Sequence, residues 1–206
     1  MTHEALTISL EPWSKVIEED RGLVAAACKD TAAAGQLFDK YYPEVLRYIY
    51  HSTLDHSVTE DLTSYVFFSA FRRLGLFQWR GIPFRAWLYR IAANEVRMHY
   101  RRRKRALATH AGPVDLEHPS DAPSAATMAA ALDEYRLLHA ALLELGQKYR
   151  TVIVLRYFEG KSLSEICDIT HKREGTIKSQ LHRGLSQLKD SLERAGITLP
   201  DPGMEP

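Results

Sequence analysis

Cysteine is nearly missing from this chain. Cys28 and Cys167 are the only two, and neither belongs to a CxxC pair or a Cys/His cluster. That gives no support to a zinc site or a redox pair and leaves two ordinary buried thiols as the expectation. No apolar run approaches the ~20 residues of a membrane span, so no membrane insertion is expected. The first residues lack a basic stretch and carry Glu4 and Glu11, unlike a signal peptide, so a cytoplasmic protein is expected. Glycine-rich phosphate loops, clustered acids for a metal and His/Ser/Asp arrangements are also missing. The chain is therefore not expected to be an enzyme, with neither metal nor cofactor. Alternation of apolar and polar residues is nowhere convincing, which argues against a sheet, and there is no internal repeat.

Helical periodicity and an uneven charge distribution are present instead. Net charge is only +1, but residues 72–105 hold eleven Lys/Arg against one Asp/Glu. Residues 1–71 and 106–145 are acidic. Within the basic block runs FRAWLYRIAANEVRMHYRRRKR, from Phe84 to Arg105. Wound as a helix, it places Arg90, Asn94, Arg97, Arg101, Lys104 and Arg105 within a stripe about 100° wide. Phe84, Leu88, Ile91, Ala92 and Val96 fall opposite. A stripe of like charge on a folded domain is best tolerated when an extended anion lies along it, and nucleic acid is the leading candidate, with an ordinary solvated face as the bland alternative.

The pattern predicts an all-α fold of two small helical domains joined by a flexible linker. Residues 1–19 are an N-terminal extension and 20–105 the first domain. An Ala-rich helix is expected from Asp20 to Ala34. Leu37, Phe38, Tyr41, Tyr42, Val45, Leu46 and Ile49 recur at helical spacing, with Pro43 permitting a kink or a fresh start. Ser57 and Glu60 form a capping box opening a helix to about Leu74. A loop at 76–83 precedes the basic helix. Residues 106–131 are rich in Ala and Pro and acidic, a linker whose last residues (125–131) can already open the next helix. The second domain, 132–194, carries Leu132, Tyr135, Leu138, Leu142 and Leu145 on one helix, and residues 195–206 form a tail. Ser162 and Glu165 make a second capping box for a short helix to Ile169. A tight turn at 170–172 leads into a longer helix from Arg173 to Arg194, with Leu181, Leu185 and Leu188 on its buried side. A short capped helix, a turn and a longer polar helix form a helix-turn-helix. In that motif the second helix enters the major groove and presents its N-terminal residues to base edges. Here these are Arg173, Glu174, Thr176, Lys178, Ser179, Gln180, His182 and Arg183.

Three ordered blocks, TEDLTSYVFFSAFRRL, FRAWLYRIAANEVRMHYRRRKR and EGTIKSQLHRGLSQLKDSL, make the chain resemble a bacterial RNA polymerase sigma factor. More narrowly it resembles the compact extracytoplasmic-function (ECF) group, over residues 20–105 and 132–194. The resemblance implies a subunit that binds core RNA polymerase, recognises and melts promoter DNA and directs initiation. It implies that the helix over 58–74 binds the clamp helices of the polymerase largest subunit, and Asp61, Tyr65, Phe68 and Arg72 share one face of it. The second domain would meet the flap of the second subunit. The loop and basic helix would take up the minus-ten element, with Phe77, Trp79, Phe84, Trp87 and Asn94 as candidates to meet an extruded base, Arg80, Arg90 and Arg97 also on this DNA, and Arg101, Arg102, Lys104 and Arg105 on phosphates. Phe84 and Trp87 are also natural core residues. The recognition helix, with Lys172 before it, would read the minus-thirty-five element. An anti-sigma factor is a further expected partner. The competing reading is a two-domain helix-turn-helix regulator that is not a polymerase subunit, which leaves the first-domain stripe and aromatic loop unexplained.

Two departures from the family pattern stand out. Asp61 and Leu62 are followed by Thr63, Ser64 and Tyr65, where the family usually has a Gln and a Glu. The turn His171-Lys172-Arg173 replaces a usual Gly, apolar residue and Ser cap. Losing the Gly at a positive φ costs about 1 kcal/mol, and losing the cap costs about as much.

Overall fold

The computed structural model describes the backbone of residues 13–79, 82–109 and 126–197, with side chains over 20–79, 82–106 and 135–197. Among these residues there is no strand. The helices are α1 (Trp13–Ala27), α2 (Thr31–Thr53), α3 (His56–Arg72), α4 (Phe84–Thr109), α5 (Ala126–Glu144), α6 (Gln147–Ile153), α7 (Leu163–Thr170) and α8 (Glu174–Arg194). A 3-10 turn, Leu74–Leu76, follows α3, and a π-helical turn, Val154–Phe158, continues α6. The expected extension, linker and tail fall largely at 1–12, 110–125 and 198–206, outside the described residues.

Local chemistry sets several boundaries differently from the sequence expectation. The single helix expected over Asp20–Ala34 is two helices, because Asp30 accepts from the Ala32 N–H at 3.0 Å and starts α2 afresh. Helix α2 then runs through Pro43 without stopping. It closes at Leu54, which sits in the left-handed region (φ 57°) with its N–H on the Tyr50 carbonyl. The opening of α3 is capped by Asp55, which accepts from Val58 N–H at 2.9 Å, and not by the Ser57/Glu60 box. Aspartate two positions earlier wins because it directly follows the left-handed residue and already has extended backbone (φ −133°). Helix α4 continues to Thr109, beyond the expected Arg105, and α5 begins at Ala126.

In the first half α1, α3 and α4 pack around α2. Leu37, Tyr41, Val45, Tyr48 and Ile49 form its buried ridge, met by Val66, Phe67 and Ala70 of α3 and by Leu88, Tyr89, Ala92 and Val96 of α4. In the second half α5, α6 and α7 pack on α8, burying Leu142, Ile153, Leu155, Ile166 and Ile177. Helices α6 and α8 come closest at Gly184, where an added Cβ would lie 2.9 Å from Ile153 Cδ1 and 3.2 Å from Tyr149 Cβ. That approach dictates glycine. Ile177, Gly184 and Leu192 join Leu181 and Leu188 on the buried side of α8, whereas Leu185, expected there, is 38% exposed. The thiols also differ from expectation: Cys28 is exposed and Cys167 half-buried, both unbridged. The two halves are in contact, α4 against α7 and α2 against the π turn.

Candidate nucleic-acid and polymerase interface

On α3 the residues facing away from the core include Asp61, Ser64, Tyr65, Phe68 and Arg72. Thr63, Val66, Phe67 and Ala70 take the dry side, so helical spacing forces Tyr65 and Phe68 outward. They are 49% and 58% exposed, and the Arg72 guanidinium stands 5.5 Å over the Phe68 ring. Two exposed aromatics with a cation stacked on one are costly to hydrate and well suited to being covered by a protein. The structure thus places Asp61, Tyr65, Phe68 and Arg72 together on one accessible face.

The segment after α3 folds its aromatics back. Phe77 lies 4.9 Å from Trp79, 5.2 Å from Trp87 and 5.6 Å from Phe84. Phe84 is buried and packs on Tyr41, while Phe77, Trp79 and Trp87 are half-buried. Arg21 of α1 sits 5.9 Å over the Trp79 ring. Arg80, expected beside them, lies outside the described residues. Along α4, Arg97 donates to Asn94 Oδ1 at 2.6 Å, so these two exposed side chains form one polar unit. Arg101, Arg102, Lys104 and Arg105 are all exposed. Arg90, at the head of the same stripe, behaves differently. Its Nε and Nη2 donate to the backbone carbonyl of Asp168 at 2.8 and 2.6 Å, so it is spent on the second half of the chain.

The helix-turn-helix forms as the sequence implies. Ser162 caps α7 in a full capping box with Glu165, the two reciprocal bonds measuring 3.2 and 2.6 Å. His171 ends α7 in the left-handed region, φ 55°, where a glycine would be unstrained. Arg173 occupies the N-cap of α8 and offers no side-chain acceptor to it. Both costs expected from the unusual turn are therefore present. Lys172 turns back to donate to Gln180 Oε1 at 3.0 Å, and Lys178 pairs with Glu174 at 2.7 Å. Arg173, Thr176, Ser179, His182 and Arg183 are exposed. A shallow pocket at this end is lined by Lys148, Tyr149, Gly175, Thr176, Ser179, Gln180 and Arg183. Lys148 and Tyr149 of α6, unmarked by the sequence pattern, thereby join the face. Their signal is only spatial, since α6 reaches α8 through Gly184.

No group of three or more His, Cys, Asp or Glu capable of holding a metal occurs among the described residues, and no described helix is long and apolar enough to cross a membrane.

Comparison with known proteins coincides with this geometry. The Sigma-70 region 2 family pattern matches residues 37–106, and the Sigma-70, region 4 pattern matches residues 135–188. The ECF RNA polymerase sigma factor SigL of Mycobacterium tuberculosis is 30% identical over 174 residues, covering 84% of this chain and 96% of that protein. The ECF sigma factor BldN of Streptomyces coelicolor is 32% identical over 168 residues, covering 79% of this chain and 61% of BldN. Among solved structures, CnrH in complex with the cytosolic domain of CnrY superposes with a TM-score of 0.63 at 24% identity, over 85% of this chain and 97% of CnrH. The sigma factor RpoE of Bartonella quintana, solved with the anti-sigma factor NepR, superposes with a TM-score of 0.60 at 24% identity, over 77% of this chain and 96% of RpoE. With an exposed aromatic face on α3, a cationic α4 and a helix-turn-helix at α7–α8, the chain belongs to the ECF group of RNA polymerase sigma factors.

Proposed function

We propose that three surfaces of this chain divide the work of initiation. The face of Asp61, Tyr65, Phe68 and Arg72 docks on the clamp helices of core RNA polymerase, and the second half meets the flap of the second subunit. The half-buried ring faces of Phe77, Trp79 and Trp87, with the Asn94–Arg97 unit, receive the minus-ten element as its strands part. Opening a duplex costs several kcal/mol of stacking, and an extruded base recovers part of that by stacking on aromatic rings. Arg101, Arg102, Lys104 and Arg105 hold the backbone. Lys172 and the exposed side chains of α8 from Arg173 to Arg183 contact the minus-thirty-five element, and the proximity of Lys172, Arg173, Lys148 and Arg183 weights that contact toward phosphates. The protein works where polymerase works, in the cytoplasm, and an anti-sigma factor is its negative partner.

The observation that carries this reading is the pair of outward aromatics on α3. A regulator that never binds polymerase has no use for Tyr65 and Phe68 at that exposure. The test is reconstitution with core polymerase, followed by selection of promoters from random DNA and transcription from those selected. Co-elution with core and recovery of two spaced boxes are expected. A chain that ignores core polymerase but still selects a single DNA box would establish the helix-turn-helix regulator instead.

A further inference from the structure

The shallow pocket at the start of α8 is lined by donors and by no carboxylate. Thr176, Ser179, Gln180 and Arg183 fall within about 100° of the helix circumference. Lys148 and Tyr149 of α6 close the pocket beside them, with the Lys148 ammonium 4.7 Å over the Tyr149 ring. Glu174, the acid in the first turn of α8, is taken by Lys178 at 2.7 Å. Gln180 supplies the amide of the pocket. It is half-buried, on the flank between the exposed face and the buried side of Ile177 and Leu181.

What orients that amide comes from outside the helix. The chain leaves α7 through His171 in the left-handed region, and Lys172 then reaches back over α8, where its Nζ donates to Gln180 Oε1 at 3.0 Å. Burial lowers the Lys172 ammonium pKa, and the charges of Lys148 and Arg97 lower it further. A partly desolvated ammonium needs an oxygen acceptor, and the amide carbonyl provides one. Because an ammonium has three donors and no acceptor, it selects the oxygen end of the amide and leaves the NH2 end directed away. An apolar residue at 172, usual in the family turn, places no such charge beside α8.

An unconstrained Gln in the major groove reads adenine, donating to N7 and accepting from the N6 amino group. In this chain the accepting atom is engaged, and the ammonium beside it repels the amino hydrogens of adenine and cytosine. The Gln180 NH2 and the remaining N–H groups of Lys172 present donors alone. Guanine, with N7 and O6 side by side, is the base whose major-groove edge consists of two acceptors. We propose that Lys172 is a positioning residue: by holding Gln180 through its carbonyl, it sets a preference for guanine at one position of the minus-thirty-five element. This rests on the promoter-recognition reading above and deepens it. Lys148 and Arg183 at the rim hold the backbone and fix the register, and the oriented amide reads the base.

The test compares holoenzymes carrying the full chain as wild type, Lys172→Met, Lys172→Arg and Gln180→Ala, each selecting promoters from random DNA. The wild type should select guanine at a position where Gln180→Ala loses discrimination. At that position Lys172→Met, which keeps the stem and removes the ammonium, should shift the guanine-to-adenine affinity ratio toward adenine by about tenfold. Lys172→Arg keeps a donor-only group and should retain guanine. Adding Lys172→Met to Gln180→Ala should change the preference no further, because Lys172 acts through Gln180. Lys172→Gln, whose amide meets Gln180 either way round, should relax the preference and serves if Lys172→Met fails to fold by circular dichroism. A lysine that merely touched phosphate would, on replacement, weaken every sequence alike and reduce the salt slope by ~0.9. That pattern with an unchanged base preference overturns the proposal, as does a wild-type box in which no guanine depends on Gln180. A wild type that selects no DNA with core polymerase removes the proposed function together with this inference. Boxes recovered with one and the same preference in all variants remove the inference alone.

Discussion

Helices α4 and α8 are both amphipathic and both proposed to meet DNA, but they handle charge in opposite ways. Over its 26 residues α4 holds one acid, Glu95, against eight Arg and Lys, and its distal cations are exposed. In α8 acids are interspersed: Lys178 pairs with Glu174 at 2.7 Å and Lys189 with Glu193 at 3.7 Å. Arg194 reaches Glu144 of α5 at 3.1 Å. Between these pairs lie hydroxyls and amides, Thr176, Ser179 and Gln180. A surface of exposed like charge binds any polyanion, whereas cations interspersed with acids and hydrogen-bonding groups discriminate among sequences. On the proposed function, attraction resides in α4 and selection in α8.

The largest effect that would sharpen this contrast is on α4. Replacing Arg101, Arg102 and Lys104 by Gln should lower DNA affinity of the holoenzyme by about 100-fold at low salt. The slope of log affinity against log salt should fall by roughly two to three, since each lost phosphate contact removes ~0.7–0.9. Thr176→Ala with Ser179→Ala should leave that slope unchanged and alter only promoter choice. Titration in fluorescence anisotropy at four salt concentrations reads both, and a comparable slope change in the α8 variant would abolish the distinction.

Next in size is the scaffold beneath α8. Gly184→Val should destabilise the second half by about 1–3 kcal/mol, since side-chain atoms of Ile153 and Tyr149 stand where the new carbons would go. Thermal melting followed by circular dichroism should show the loss, while Asn94→Ala on α4 should leave the melting temperature nearly unchanged. A neutral Gly184→Val would mean that the α6–α8 approach is slack.

The turn ahead of α8 should respond in the other direction. His171→Gly relieves a left-handed φ and Arg173→Ser supplies a cap, each stabilising by about 1 kcal/mol. The double variant should melt higher yet hold minus-thirty-five DNA more weakly, having lost one cation. A double variant that melts at the wild-type temperature would show that the strain at His171 is illusory.

The smallest effect is a pH dependence at the contact between halves. His51 of α2 and His139 of α5 lie 5.9 Å apart, with Tyr50, Tyr135 and Phe158 around them and Arg47 and Glu159 beside His51. Burial lowers both imidazoles, and His51 adds to the effect on His139, which falls to about 4. In the unfolded chain a histidine takes up its proton near pH 6.5. The stabilisation is thus complete above about pH 6.5 and is lost as pH falls toward 4. The Glu44 carboxyl, which burial would raise but Arg85 and Lys161 hold low, acts in the same direction but below the usual carboxylate range, so the windows separate. Melting temperature should fall between pH 7 and 5 in the wild type, and less so in His139→Phe.

Much of this was legible in the chain itself. The α4 stripe, the outward set on α3, the Ser162/Glu165 box and the cost of His171 all depend on residues within a turn or two of each other, and periodicity captures those. The Ser57/Glu60 box misled because it satisfies the local rule, yet Asp55 stands nearer the true break at Leu54. Leu185 misled because the α8 seam is set by the close approach at Gly184, a tertiary fact. Invisible altogether were Glu159, which accepts from Arg47 and Tyr89, Glu44, which accepts from Arg85, and the diversion of Arg90. Their partners lie up to 112 positions away, and nothing in the spacing of a lone glutamate reveals where a distant arginine will stand.

The widened turn at Val154–Phe158 has an implication for how such a chain tolerates length changes. The Glu159 N–H reaches back five residues to the Val154 carbonyl at 3.0 Å, so one surplus residue is absorbed there. Deleting a single residue inside 154–158 would let the turn close as ordinary α-helix and leave everything downstream nearly in place, whereas a deletion in α6 ahead of it would swing the rest by about 100°. Glu159 would then point away from Arg47, though every side chain proposed to touch promoter or polymerase stayed in the sequence.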